Sequence, residues 1–401
     1  MINKLIEKAE NQLQDLFKKA EQIALYNQEK VLKAFQKHQI ALRHFYPSTG
    51  YGYGDEGRDK LNDLIADVFG AESALCTPLI VSGTHALSLS LYGVLRPNDS
   101  VLSVTGKPYD TLADVIYGEN NGSLKDYNVK FDSISLKDDK IDFESIGKYL
   151  ENKKPTMIYL QRSRGYEWRN ALSIAEIEEV VNFVRAKGFS GCIMTDNCYG
   201  EFIEEKEPTD VGVNLIAGSM IKNPGGGIAP TGGYVAGDKK YVDMVINRLT
   251  SPSIGGEVGS YAFGYQYFYQ GLFLAPHTVL QSVKGAMLFG KVLSDAGYVT
   301  SPNSMELPKD IILAIKFNDR EKLISFIQNI QKNSPVDSFV QVVPWEMPGY
   351  EDQVIMAAGC FVQGASIELS ADAPVKPPYI AYMQGGLTYE HCKIALKNFK
   401  I

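Results

Sequence analysis

Cysteine is scarce in this sequence, and its five residues, Cys76, Cys192, Cys198, Cys360 and Cys392, are odd in number and never in a C-x-x-C spacing. That pattern excludes a disulfide framework and a zinc ribbon, and the thiols are expected to be reduced and structural. Histidine is equally sparse. His38, His44, His85, His277 and His391 form no H-E-x-x-H or other paired spacing, so no protein-bound metal is expected. Excess positive charge is also missing. The 40 Lys and Arg residues against 47 Asp and Glu give a formal charge of −7, with no basic stripe to neutralise a phosphate backbone. Nucleic acid is therefore not an expected partner. No uncharged run reaches the length that spans a bilayer, so no membrane partner is expected, and the opening "MINKLIEKAENQLQDLF" is charged throughout, unlike a signal peptide. The expected compartment is the cytoplasm.

What is present is a chain of 401 residues, 45% hydrophobic, long enough to bury a large core and a second, smaller one. Residues 1–45 open with apolar positions at helical spacing (Leu5, Ile6, Ala9, Leu13, Leu16, Phe17, Ala20, Ile23), which predicts an amphipathic arm of the kind that often packs on a partner subunit. "HFYPSTGYGYGDEGRDK" has loop composition, and helical periodicity resumes in "LNDLIADVFGAE". Short β-rich runs then alternate with helical patterns: "ALCTPLIVSG", "SVLSVTG", "TMIYLQ", "GCIMTDN", "VNLIAGSM" and "GGYVAG". Between them, "SIAEIEEVVNFVRAKG" reads as a helix, with serine near its start and glycine at its end. The alternation predicts an α/β fold with a mainly parallel sheet over residues 46–290. Residues 291–401 change character, with "KDIILAIKFND", "REKLISFIQNIQKN", "FVQVV" and "CFVQGASIELS" reading as a smaller α+β domain.

Chemistry is concentrated around "GSMIKNPGGGIAP", where Lys222 precedes Gly225, Gly226 and Gly227. A phosphate-binding P-loop needs glycines before the lysine and a hydroxyl after it, and here the order is reversed with Asn223 following. The dinucleotide fingerprint G-x-G-x-x-G fails as well. A lysine held on rigid backbone after a strand can instead form a Schiff base with a carbonyl cofactor, of which pyridoxal 5′-phosphate is the obvious candidate. That cofactor needs a carboxylate, an anion site and an aromatic face. Asp196 ends the strand pattern "GCIMTDN", where ligands sit in parallel sheets. Ser82, Gly83 and Thr84 stand where a strand gives way to a helix, whose free N–H groups bind anions. Tyr109, in "TGKPYDTLAD", supplies the aromatic face.

The order SGTHA, PYDT, TDN and SMIK followed by glycines resembles fold-type I pyridoxal-phosphate-dependent enzymes of the Cys/Met-metabolism group. Within that group, "GYGYGDEGRDKL", "VSGTHALSLSLYGVLRP", "QRSRGY", "DNCYGEF", "GSMIKNPGGG", "QGLFLAPH", "MPGYEDQVIMAAG", "GASIELSAD" and "QGGLTYEH" resemble the cystathionine β-lyase-like proteins associated with aluminium resistance. The likeness runs from about residue 40 to the end. It implies that Lys222 is the Schiff-base lysine and that Asp196 partners the pyridine nitrogen. Gly83, Thr84 and Ser219 would hold the phosphate, and Tyr109 would stack on the ring. Tyr51 and Tyr53 would reach the phosphate of a neighbouring subunit, which implies a homodimer or homotetramer with shared sites.

The wider group binds the substrate carboxylate through an arginine near the C-terminus, yet no arginine follows Arg320 here. Arg162 and Arg164 are the first replacements, with structural ion pairing as an equal reading, and Lys376 is the next. His85 is assigned to packing and Cys198 to the core. The glycines after Lys222 are expected to let backbone pass close to the cofactor and a neighbouring subunit. The implied activity is β- or γ-elimination from a sulfur-containing amino acid, with Lys222 moving the Cα proton and Tyr109 placed to protonate the leaving group. Replacement at Cγ, racemisation and cofactor binding with little turnover use the same residues.

Overall fold

The computed structural model describes residues 2–347 and 352–400. The segment 348–351, within "MPGYEDQVIMAAG", lies outside the described residues. The chain opens with a long helix, α1 (Ile2–Lys37), followed by α2 (Glu56–Val68). Then come β1 (Ser73–Thr77), α3 (Gly83–Val94), β2 (Ser100–Ser103), α4 (Ala113–Tyr117), β3 (Lys130–Ser133), α5 (Phe143–Asn152) and β4 (Met157–Gln161). They are followed by α6 (Ile174–Ala186), β5 (Cys192–Asp196), β6 (Leu215–Ser219), β7 (Gly233–Gly237) and α7 (Lys239–Leu249). The strands form a seven-stranded sheet in the order β1-β7-β6-β5-β4-β2-β3, parallel from β3 to β6, with β7 antiparallel to both its neighbours. β4, β5, β6 and β7 are buried at every position, because helices cover both faces. Each therefore reads in the sequence as an apolar run and not as an alternation. α6 begins at the predicted serine, where Ser173 and Glu176 form a reciprocal capping box.

The second domain holds α8 (Gln266–Asp295), β8 (Val299–Ser301), β9 (Ile312–Lys316), α9 (Arg320–Lys332), β10 (Val354–Ala357), β11 (Ser370–Pro374), β12 (Ile380–Gln384) and α10 (Tyr389–Lys397). Its sheet is antiparallel, in the order β10-β11-β12-β9-β8. The boundary expected at residue 290 falls inside α8, which is shared. Ala275, Val279 and Met287 enter the large core, while Leu288, Phe289 and Val292 enter the small one. α1 is not a free arm either. It packs along α8 of its own chain, giving Leu13, Ala20 and Val31 to the large core and Ile6 and Ala9 to the small one.

"FVQVV" forms no strand, and "CFVQGASIELS" forms none before Ser370. Phe339, Val340 and Val343 are exposed, so the apolar run buries no continuous face. No helix among the described residues is long and apolar enough to cross a membrane.

Candidate active site

The C-terminal ends of β4, β5 and β6 lie side by side, with Gln161 opposite Asp196 and Asp196 opposite Ala217. Lys222 stands three residues past the end of β6, on a turn closed by hydrogen bonds from its own N–H to the Ser219 carbonyl and from Gly225 N–H to the Lys222 carbonyl. The glycines that follow serve this turn. A Cβ on Gly225 would collide with the Met220 carbonyl oxygen, and one on Gly226, whose φ is +57°, with that of Gly271 on α8. Within the chain, the close approach is to the turn itself and to α8.

Lys222 Nζ donates to Tyr199 OH at 3.1 Å and lies 4.2 Å from the centroid of that ring. Burial pushes the ammonium pKa down, but Cys198, Tyr199 and Asp196 outweigh it and hold Lys222 above the ordinary lysine range. Asp196 is buried and accepts the Cys198 N–H at 3.1 Å. Burial raises its pKa, and the Lys222 charge and the Cys198 hydrogen bond oppose that rise. Burial likewise pushes the Cys198 thiol well up, which favours the neutral form.

The N-terminus of α3 closes the site. A Cβ built on Gly83 would lie 3.5 Å from Ser219 Cβ, 3.6 Å from Cys198 Sγ and 4.0 Å from Lys222 Nζ. Four residues from three chain segments therefore converge within one side-chain length. Ser82 caps α3 by accepting the His85 N–H at 3.0 Å, and the remaining first-turn N–H groups have no acceptor within the helix. Thr84 Oγ1 is 2.9 Å from Thr111 Oγ1. His85 Nδ1 accepts the Val81 N–H, and burial lowers its pKa, so it serves the turn as a neutral ring.

Tyr109 N–H donates to Gln161 Oε1 at 2.7 Å, and its ring meets Tyr166 edge-on at 6.3 Å. Both tyrosines line a cleft of about 790 Å³ between the domains, together with Arg164 and Lys376. Lys376 pairs with Asp352 at 2.6 Å near its mouth. Arg164 is buried, donates through Nη1 to the carbonyl and hydroxyl oxygens of Ser301, and faces Asp310 Oδ2 with its Nε at an ion-pair distance of 3.9 Å. Arg162 must be removed from the substrate-binding candidates. Its guanidinium is fully buried away from the cleft, bonded to Asn197 Oδ1 at 2.9 Å and to Glu204 Oε2 at 3.0 Å, and sits 3.6 Å from Glu207. A substrate would have to break that network, at the cost of leaving buried charges unpaired. Tyr51 and Tyr53 lie on the surface, 74% and 69% exposed, with their rings 5.6 Å apart.

Tyr199, Thr111 and Gln161 escape the sequence reading, because nothing local to "DNCYGEF" or "PYDTL" says which way a loop side chain turns. Glu201 is also unanticipated. It accepts from Tyr234 OH at 2.8 Å behind β6, and its second oxygen has no partner. Burial pushes its carboxyl pKa up to about 8. A carboxyl whose pKa is higher folded than unfolded destabilises the fold as pH climbs through the interval between the two. Glu201→Gln, which keeps the acceptor for Tyr234, is therefore expected to match the parent in stability near pH 4. Above that its advantage should grow by up to about 1.4 kcal/mol per pH unit and level off past about pH 8. Denaturant midpoints across that range check it.

The fold, with a lysine just past the end of β6, is that of the fold-type I pyridoxal-phosphate-dependent enzymes. The chain belongs to the methionine gamma-lyase family, whose sequence pattern matches residues 2–400. It is similar in structure to a carbon–sulfur lyase involved in aluminum resistance from Clostridium novyi NT, at 50% identity and TM-score 0.95, covering 99% of this chain and 94% of the other. A candidate cystathionine beta-lyase involved in aluminum resistance from Listeria monocytogenes aligns at 47% identity and TM-score 0.97, covering 99% and 98%. The uncharacterized protein YnbB of Bacillus subtilis is 49% identical over 99% of this chain and 95% of its own. The pyridoxal-5′-phosphate-dependent protein YhfS of Escherichia coli, at 16% identity and TM-score 0.63, shares the fold.

Proposed function

We propose that the protein binds pyridoxal 5′-phosphate at Lys222 and cleaves a carbon–sulfur bond of a sulfur-containing amino acid by β- or γ-elimination. The convergence of Gly83, Ser219, Cys198 and Lys222 at one point beside the buried Asp196 carboxylate carries this reading. The residues fit the group. The bare Gly83 surface and the free N–H groups of α3 suit a phosphate with Thr84 and Ser219 beside it, and Asp196 suits a protonated ring nitrogen. When bound, the cofactor supplies an aldehyde for Lys222 and an electron sink for the substrate's Cα electrons.

The chain's own groups do the rest. The Lys222 amine, held by Tyr199, takes the Cα proton once it is released from the cofactor. Tyr109, in the cleft wall, would cover the cofactor's face and would give its phenolic proton to the departing sulfur. Arg164, in the cleft wall, is the group for the substrate carboxylate, and Lys376 at the mouth is the second. Tyr51 and Tyr53, exposed on this chain, complete a neighbour's phosphate site in a homodimer or homotetramer. Release of a keto acid and a thiol from a panel of cysteine and homocysteine thioethers tests the activity, and a cofactor-loaded protein inert to all of them overturns it.

Gly83→Ala tests the cradle. The new methyl makes only ordinary contacts at 3.5 Å or more, so the fold is expected to keep its stability to within about 1 kcal/mol. In the presence of cofactor it intrudes. Affinity is expected to fall by about 10-fold, on the scale of about 1–3 kcal/mol for a methyl forced into filled space. Equilibrium dialysis against pyridoxal 5′-phosphate measures it.

A further inference from the structure

A groove of about 310 Å³ opens where the C-terminal ends of α3 and α7 meet the loop between α4 and β3. Gly93 lets the helices touch backbone to backbone at its edge, since a Cβ there would lie 2.9 Å from Val245 Cα. The floor is apolar, formed by the buried Leu95, Leu124 and Val129. Tyr92 and Tyr127 make an aromatic corner, their rings 6.2 Å apart and inclined at 75°, and Tyr92 OH donates to the Gly122 carbonyl at 2.7 Å, which fixes its ring. Gly83, in the candidate active site, stands at the other end of α3, about 15 Å from Gly93 at the rise of an α-helix, so the groove is a separate place on the molecule.

The charge of the groove opposes that of the chain. The protein carries −7 overall, yet among the described residues no Asp or Glu lines the groove, while Arg96 and Arg248 do. The Arg248 guanidinium lies over the Tyr92 ring, 5.5 Å from its centroid, and Arg96 Nη1 donates to the Gly93 and Leu95 carbonyls at 2.8 Å and 2.9 Å. Elsewhere Arg43, Arg162 and Arg169 each meet a carboxylate, but among the described residues the guanidinium groups of Arg96 and Arg248 meet none. Asp126, whose charge is felt at Tyr92, turns its oxygens instead to the N–H groups of Asn120, Asn121 and Gly122. An apolar floor, two rings near right angles and two guanidinium groups without a carboxylate are complementary to a flat ring that bears one negative charge.

The geometry points to a second ligand site: the groove binds a small aromatic carboxylate, with the ring in the corner of Tyr92 and Tyr127 and the carboxylate on Arg96 and Arg248. Its volume is at the lower end of the range of about 300–1,000 Å³ typical of small-molecule sites, which suits one ring or a fused pair. Binding here neither requires nor reports the lyase activity. 2-Naphthoate and its neutral near-isostere 2-naphthamide isolate the charge, and octanoate isolates the ring. Calorimetry on the cofactor-loaded protein is expected to give one saturable site per chain for 2-naphthoate. Its Kd should be lower than that of the amide by about 10-fold or more, the scale of one charged hydrogen-bonded contact. It should be lower than that of octanoate by about 3-fold or more, the scale of one aromatic pair.

In Arg248→Gln the affinity for 2-naphthoate is expected to fall by about 10-fold, and Arg96→Gln is expected to weaken it in the same direction. Both side chains are exposed, so neither exchange opens the core. The absence of saturable binding, or equal constants for acid and amide in the parent protein, overturns the proposal even if a variant does not fold. Undiminished affinity in both variants also overturns it, because the anion then sits elsewhere, the catalytic cleft included. Octanoate bound as tightly as 2-naphthoate overturns the assignment to an aromatic ligand.

Discussion

Lys222→Ala is expected to abolish elimination, lowering kcat/KM by about 1,000-fold or more, because one substitution removes both the covalent anchor and the group that moves the Cα proton. The fold should survive. The side chain is half-buried, its one direct hydrogen bond among the described residues is to Tyr199, and the turn that carries it is closed by backbone bonds and by glycines packed against Met220 and Gly271. Purified variant is expected to take up cofactor weakly and to lose it on dialysis, whereas the parent stays yellow. Turnover within about 10-fold of the parent would mean that another group handles the proton and that Lys222 serves only the interior.

Asp196→Asn ranks second in expected effect. The amide keeps an oxygen for the Cys198 N–H, so local geometry is preserved while the negative charge is lost. Without that charge nothing buried at the site favours a proton on the cofactor's ring nitrogen, and removal of one such preorganised group costs about 100- to 1,000-fold in kcat. The charge also supports the Lys222 ammonium, with Cys198 and Tyr199, so the lysine pKa is expected to fall in the variant. A fall in kcat together with an acid-shifted pH profile of visible absorbance checks both effects. A fall in kcat alone would place the role of Asp196 in packing.

Much of this site is legible in the chain, for physical reasons that differ from residue to residue. "GCIMTDN" and "VNLIAGSM" announce strands because apolar runs buried on both faces stop abruptly at polar residues, and those stops are where Asp196 and Ser219 stand. The start of α3 is equally plain, since Ser82 is a good cap and Gly83 leaves backbone bare, but β1 ends at Thr77, well before the Ser82 at which "ALCTPLIVSG" suggests the strand stops. The direction of β7 is not legible, because an apolar run carries no sign of its polarity.

Arg162 and Arg164 could not be separated from sequence. They share the same parity, but β4 ends at Gln161, and beyond a strand end alternation no longer decides which way a side chain points. β11 carries a usable signal: in "ELSADAP", Ser370 and Asp372 alternate with Ala371 and Ala373, the pattern of a strand with one polar face. Tyr199 carried none, because its approach to Lys222 depends on a loop with φ of +44° that no local rule foretells.

The central claim is a covalent bond at one lysine, and a single measurement reaches it. The protein, reconstituted with pyridoxal 5′-phosphate and reduced with borohydride, is digested and the modified peptide sequenced by mass spectrometry. The phosphopyridoxyl mass is expected on Lys222, in the peptide containing "GSMIKNPGGG", at close to one per chain. Modification spread over surface lysines, or a protein that takes up no cofactor at all, would contradict it.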